Sequence, residues 1–167
     1  LQTHASDLNQ VLAEKAQNYQ KLFIAGHSYG GPTIMIAQPG QATALSLWDP
    51  AFNLPSVIGS DHLRVEKQDG YYIWRKAVEV VLGIPMIEER RDRYDTDECL
   101  ELSKAISEVP IQVIAADQGY GGDVYSWHSA GHEKNHRHVI DNADHCFWRG
   151  DVFNQVLDKT HQWFEGF

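Results

Sequence analysis

The chain has 167 residues, 43% hydrophobic and 22% charged, an ordinary globular composition and enough length for one domain with its own core. With 14 basic against 23 acidic side chains the net charge is −9, which argues against a nucleic-acid or anionic-membrane partner, and no apolar run approaches the ~20 residues of a membrane span. Two cysteines, Cys99 and Cys146, make no disulfide framework and read as free thiols. The start, Leu1-Gln2-Thr3-His4, shows neither an initiator methionine nor a signal-peptide pattern, so the expectation is a piece of a longer protein.

Residues 6–19 read as an amphipathic helix, with Leu8, Val11, Leu12, Ala16 and Tyr19 on one face and Ser6 as its N-cap. The apolar run Leu22-Phe23-Ile24-Ala25 then reads as a short strand buried on both faces. Gly26-His27-Ser28-Tyr29-Gly30-Gly31 follows, and after it a helix through residues 33–37 that Pro39-Gly40 stops. Strand, G-x-S-x-G and helix in that order specify a nucleophile elbow. The chemistry requires these residue types. Ser28 must sit in a strained turn to project its hydroxyl above a sheet, and Gly26 and Gly30 let strand and helix approach that turn without side-chain clashes. Pro32 falls in the first helical turn, where a missing N–H costs nothing. Residues 42–48 read as the next parallel strand, ending at Asp49-Pro50 and completing a βαβ unit.

At the elbow the chain resembles the α/β-hydrolase superfamily. The resemblance runs from residue 1 to the C-terminus but onto the later part of that fold only. It implies an α/β architecture of about four parallel strands with flanking helices, in a single domain 1–167 without the N-terminal strands. Residues 51–94 are less regular, with turns at Leu54-Pro55 and Asp69-Gly70, a helix over 71–82 ended by Gly83-Ile84-Pro85, and a mixed-charge run over 88–93. In the resembled fold, insertions here form a cap over the active site; an ordinary outer helix with loops is the equal alternative.

A helix over 97–109 and a strand over 111–116 follow, then Asp117 and the glycine-rich stretch Gln118-Gly119-Tyr120-Gly121-Gly122-Asp123. A last strand is expected at 137–140 and a terminal helix from about Asp151, with Phe153, Val156, Leu157, Thr160 and Phe164 inward.

A serine hydroxyl needs a base within hydrogen-bond reach, and the base needs an orienting group. Ser28 is the nucleophile that the elbow supplies. Of nine histidines, His145 stands between the last strand and the terminal helix, and Asn142-Ala143-Asp144-His145 resembles the family's small-residue, acidic-residue, histidine pattern. His27 should point away from Ser28 and pack or hydrogen-bond. For the acid, Asp117 leaves the C-terminal end of a strand, where the catalytic groups of parallel sheets collect. Many members place the acid about two residues further on, where this chain has Gly119. Asp123 stays open if the glycine-rich loop folds back, and so does Asp49, since some lipases of the superfamily carry the acid after the strand that follows the elbow. The backbone N–H of Tyr29 is one oxyanion donor. The second normally comes from a loop after an early strand, and the residues before Leu22 read as one helix instead.

His128, His132 and His136 are spaced as one helix face, but Gly131 weakens that helix and the run enters a strand, so a polar surface loop is the better reading than a metal site. No cofactor is called for. The chain therefore reads as a serine hydrolase cleaving an ester, thioester or related small-molecule acyl substrate through an acyl-enzyme. The second reading is a truncated, weakly active or inactive module of the same fold, used in binding or assembly. With strands in spatial order as in the chain, the elbow strand is an unprotected apolar edge, so a homo-oligomer, or pairing with a separate N-terminal segment, is expected.

Overall fold

Residues 44–47 and 111–116 are the strand segments whose side chains leave solvent on both faces, and the main sheet is built around them. The computed structural model describes residues 1–51, 65–75, 79–93, 96–119 and 131–167. Its elements are α1 (Gln2–Ala16), β1 (Phe23–His27), α2 (Gly30–Ala37), β2 (Ala44–Trp48), β3 (Val65–Gln68), β4 (Tyr71–Arg75), β5 (Glu79–Gly83), α3 (Ile84–Asp92), α4 (Thr96–Ala105), β6 (Ile111–Gln118), β7 (His136–Asp144) and α5 (Val152–Glu165). The main sheet has the order β1-β2-β6-β7 and every pairing in it is parallel. The expected fold class, four parallel strands in chain order with flanking helices, is what the structure shows.

Alternation along β2 and β6 divides the core in two. Leu45, Leu47, Ile111, Val113 and Ala115 face a cluster with Ile34 and Met35 of α2 and Ile106 beyond α4. Ile114 and Ala116 face the other way, onto Ile140, Phe147, Val152 and Val156. A buried polar seam runs through this second side. Ser46 Oγ donates to Gln112 Oε1 at 2.9 Å, and the Trp48 indole N–H reaches Thr160 Oγ1 of α5 at 2.9 Å and Ser46 Oγ at 3.1 Å. Buried polar groups are tolerated where they are paired in this way, and the seam fixes how α5 seats on the sheet.

Several expectations are corrected. The helix expected over 71–82 is instead β4 and β5, two strands of a separate antiparallel sheet β3-β4-β5. The Asp69-Gly70 pair explains it: Gln68 pairs with Tyr71 across a two-residue turn in which Gly70 has φ +91°, a strong hairpin signal that outweighs the apolar stripe. Gly83-Ile84-Pro85 opens α3 rather than closing a helix, with proline in its first turn, where no N–H is needed. The N-terminal helix starts at Gln2 without Ser6 as its cap, and Val11 and Tyr19 are exposed. In α5 the exposed Phe153 and Leu157 alternate with the buried Val156 and Thr160. The elbow strand runs to His27, and its residues are exposed or half-buried, because β1 has a hydrogen-bonded neighbour on one side only among the described residues. The expectations for Asp123 and His128 lie outside the described residues.

Candidate active site

β1 ends at His27 and α2 begins at Gly30, so only Ser28 and Tyr29 make the turn between them. Ser28 has φ +53°, a left-handed conformation that costs a residue with a side chain about 1–3 kcal/mol and persists only where its surroundings impose it. The surroundings do: Ser28 N–H donates to Trp48 O at 2.9 Å, and Ser28 O accepts from Gly31 N–H and Ala51 N–H at 3.1 and 3.0 Å. The turn is thus tied to both its own helix and the end of β2.

Close approach requires glycine at two places. A Cβ on Gly26 would fall 2.9 Å from the carbonyl carbon and oxygen of Gly30, and one on Gly31 would fall 2.3 Å from Pro50 Cβ. Gly30 itself has open space where its side chain would be. The clearance expected of Gly30 is therefore provided by Gly26 and Gly31.

Three side chains meet above this turn. His145 Nε2 lies 2.8 Å from Ser28 Oγ, and His145 Nδ1 lies 2.6 Å from Asp49 Oδ2. A carboxylate only accepts, so Asp49 assigns the imidazole proton to Nδ1 and leaves the Nε2 lone pair facing the serine hydroxyl. Asp49 follows β2, has φ +36° and is fully buried; its Oδ1 accepts from Ala116 N–H at 3.2 Å. A buried carboxylate needs such partners, since desolvation is otherwise far too costly.

Asp117, the first choice for the acid from sequence, is not the carboxylate beside His145. Its Oδ2 accepts from Asn142 N–H and its Oδ1 from Ala143 N–H, both at 2.9 Å. Asn142 has φ +59°, and the β6–β7 register is broken between Ala116 and Gln118. Asp117 therefore clamps the irregular end of β7 that leads to His145. The sequence offered Asp117, Asp123 and Asp49 as the acid and put Asp117 first, although Gly119 stands where many members of the resembled family carry the acid. The deciding signal was Gly119, where a Cβ would lie 2.2 Å from Asp49 Oδ2.

His27 packs and hydrogen-bonds, as expected: its Nε2 donates to the His145 carbonyl at 2.7 Å, and the two rings lie 4.8 Å apart. Burial lowers its pKa from the usual imidazole value; the bond to the His145 carbonyl opposes this and the charge of His145 reinforces it. Asp144 Oδ1 accepts from Cys146 N–H at 3.0 Å, which holds the other side of the His145 turn. Among the described residues no third metal-ligating side chain joins His136 and His138. The His132 ring accepts from Lys134 N–H, while His136 and His138 bond each other at 3.0 Å, and among the described residues no group of three His, Cys, Asp or Glu is placed to hold a metal. No described helix is long and apolar enough to cross a membrane.

No protein-family model and no curated protein sequence matches the chain. Solved structures do. The esterase domain of a Rhodothermus marinus protein superposes with a TM-score of 0.70 at 16% identity, over 95% of this chain and 67% of that one. Est1E from Butyrivibrio proteoclasticus with ferulic acid bound gives a TM-score of 0.67 at 14% identity, over 92% of this chain and 64% of that one. The α/β hydrolase GrgF from Penicillium sp. sh18 gives 0.65 at 11%, over 96% and 69%. The chain thus spans about two thirds of the length of these proteins, and over that span it has the α/β-hydrolase fold.

Proposed function

We propose that this chain carries the catalytic centre of a serine hydrolase that cleaves an ester, thioester or related acyl substrate through an acyl-enzyme. The observation that carries the reading is the continuous pair of hydrogen bonds from Ser28 Oγ through His145 to Asp49. Ser28 Oγ attacks the acyl carbon while His145 Nε2 takes its proton. The resulting oxyanion is met by the N–H of Tyr29, at the positive end of α2. Collapse expels the alcohol or thiol, which takes the proton back from His145. Water then attacks the acyl-serine with His145 again as base, releasing the acid and restoring Ser28. Asp49 keeps the imidazole in the required tautomer and stabilises it while it is positive. In this assignment Asp49, one of the alternatives from sequence, replaces Asp117 as the acid.

A fluorophosphonate probe tests the reading directly. Wild-type protein should label at Ser28 and hydrolyse short p-nitrophenyl esters. Ser28→Ala should do neither while staying within about 1 kcal/mol of wild-type stability, as a small, partly exposed side chain is removed. Turnover retained in Ser28→Ala rules out Ser28 as nucleophile, and a folded wild-type chain that neither labels nor turns over supports the binding-module alternative.

A further inference from the structure

The histidine-rich stretch that opens β7 takes no part in the site above. Successive side chains of a strand alternate between its faces, so His136 and His138 stand on the same face as the buried Ile140. Their pairing follows strand spacing and not the helical spacing that His132 and His136 also show. The two Nε2 atoms lie 3.0 Å apart, the rings are nearly perpendicular at 88°, and both side chains are half-buried. His136 is held from two sides. Its Nδ1–H donates to the Lys134 carbonyl at 3.3 Å, which leaves the Nε2 lone pair without a proton. Its ring packs edge-on against Trp163 of α5 at 4.6 Å, and the Trp163 indole N–H is in turn fixed on Leu45 O at 2.9 Å. His138 Nε2–H therefore donates to His136 Nε2, and one proton fills the gap between the two nitrogens.

We propose that His136 and His138 form a two-imidazole chelate for a late first-row divalent metal, Cu²⁺ or Ni²⁺, with solvent filling its other coordination positions. The inference stands apart from the serine-hydrolase reading, because His136 and Asp144 are the two ends of β7, on the order of 25 Å apart, and the site lies beyond the Asp144 end. Metal–imidazole bonds are about 2.1 Å long, so two nitrogens on one metal are about 3.0 Å apart at a right angle and about 3.4 Å apart at a tetrahedral angle. The 3.0 Å between this pair fits the right angle of a tetragonal centre, which suits Cu²⁺ and Ni²⁺, better than the tetrahedron of Zn²⁺. Mg²⁺ and Ca²⁺ need oxygen ligands, and the charge of Lys159, which acts on His138, opposes a cation held by charge alone. On binding, the proton leaves His138 Nε2 and His138 Nδ1 takes one up. Both rings stay neutral and both Nε2 lone pairs meet the metal. The two ligands converge only while β7 is extended, so the metal favours the folded chain.

The test uses the full chain and its variants His136→Gln and His138→Gln, titrated by calorimetry with Cu²⁺, Ni²⁺, Zn²⁺ and Mg²⁺ in a buffer that binds none of them. At its tightest site the wild type should take up Cu²⁺ or Ni²⁺ more strongly than Zn²⁺, and Mg²⁺ not at all. Its melting temperature should rise by about 3 °C or more at saturating Cu²⁺. Electron paramagnetic resonance of the bound Cu²⁺ should show two imidazole nitrogens, and the amide NMR signals of residues 136–138 should broaden first as Cu²⁺ is added. Each variant keeps one imidazole, so it should bind Cu²⁺ about tenfold or more weaker and lose the rise in melting temperature. Wild-type affinity in both variants overturns the proposal, as does first broadening at His145 or at another histidine. Zn²⁺ bound as tightly as Cu²⁺ refutes the right-angle geometry and the metal assigned from it. If a variant does not fold, the place of first broadening in the wild type decides.

Discussion

Replacing Gly31 by alanine puts a Cβ 2.3 Å from Pro50 Cβ and 3.1 Å from Pro50 Cα. Carbon atoms pack at about 3.5 Å, so α2 and Pro50 must separate by about 1.2 Å. Overpacking of this kind costs about 1–3 kcal/mol, against which the better helix propensity of alanine returns about 0.5–1 kcal/mol. Gly30→Ala is the built-in control, because it gains the same helix term and its Cβ meets nothing within 4 Å. The two neighbouring variants should therefore differ in stability by about 1–3 kcal/mol, with Gly30→Ala above wild type. The separation also reaches the site. Ser28 precedes α2 and Asp49 precedes Pro50, and His145 spans the two at 2.8 and 2.6 Å. A shift of about 1 Å between groups held in that way costs on the order of 100-fold in kcat. Urea unfolding gives the stabilities and p-nitrophenyl acetate the rates. If Gly31→Ala is as stable as Gly30→Ala and retains wild-type kcat, the close approach of α2 to Pro50 does not hold the site together.

Asp49→Asn should lower kcat by about 10⁴-fold, because the imidazole loses the tautomer that leaves Nε2 as base. Asp117→Asn should stay within about tenfold in kcat and lose about 1 kcal/mol of stability, since an amide offers one oxygen where the carboxylate accepts from two N–H groups; the reverse pattern would restore Asp117 as the acid. His138 has its pKa lowered by burial, then by Lys159 and His136, so below about pH 6.5 the unfolded chain binds a proton that the folded chain resists. The stability advantage of His138→Gln over wild type should therefore grow as pH falls from about 7 to 5 and be flat above 7; a pH-independent difference contradicts this. The side of β1 that has no hydrogen-bonded neighbour among the described residues, with Phe23 exposed, should recruit another strand, so sedimentation at micromolar concentration should show a dimer or larger species. A stable monomer with fast-exchanging amides in β1 would show that the edge is tolerated.

The sequence by itself determined the parts whose signals are local. Gly26-His27-Ser28-Tyr29-Gly30 between an apolar run and a helix specified the strained turn, and the structure places Ser28 in it at φ +53°. The order of the four parallel strands and the candidacy of His145 among nine histidines came with the resemblance that the elbow carries; the structure shows that strand order and places His145 Nε2 2.8 Å from Ser28 Oγ. The hairpin over 71–82 was misjudged because isoleucine, tryptophan and valine at helical spacing are also good strand formers, and only pairing across Asp69-Gly70 separates the two. The choice of acid was beyond local reading. Asp49 and Asp117 both leave parallel strands, and which one reaches the imidazole depends on what stands beside it in space. Packing brings Asp49 and not Asp117 to the imidazole: Asn142 and Ala143 turn their N–H groups onto Asp117, while Gly119, distant in sequence from Asp49, leaves clear the volume that the buried Asp49 carboxylate occupies. Steric exclusion between residues 70 positions apart leaves no periodicity or spacing for a sequence to show.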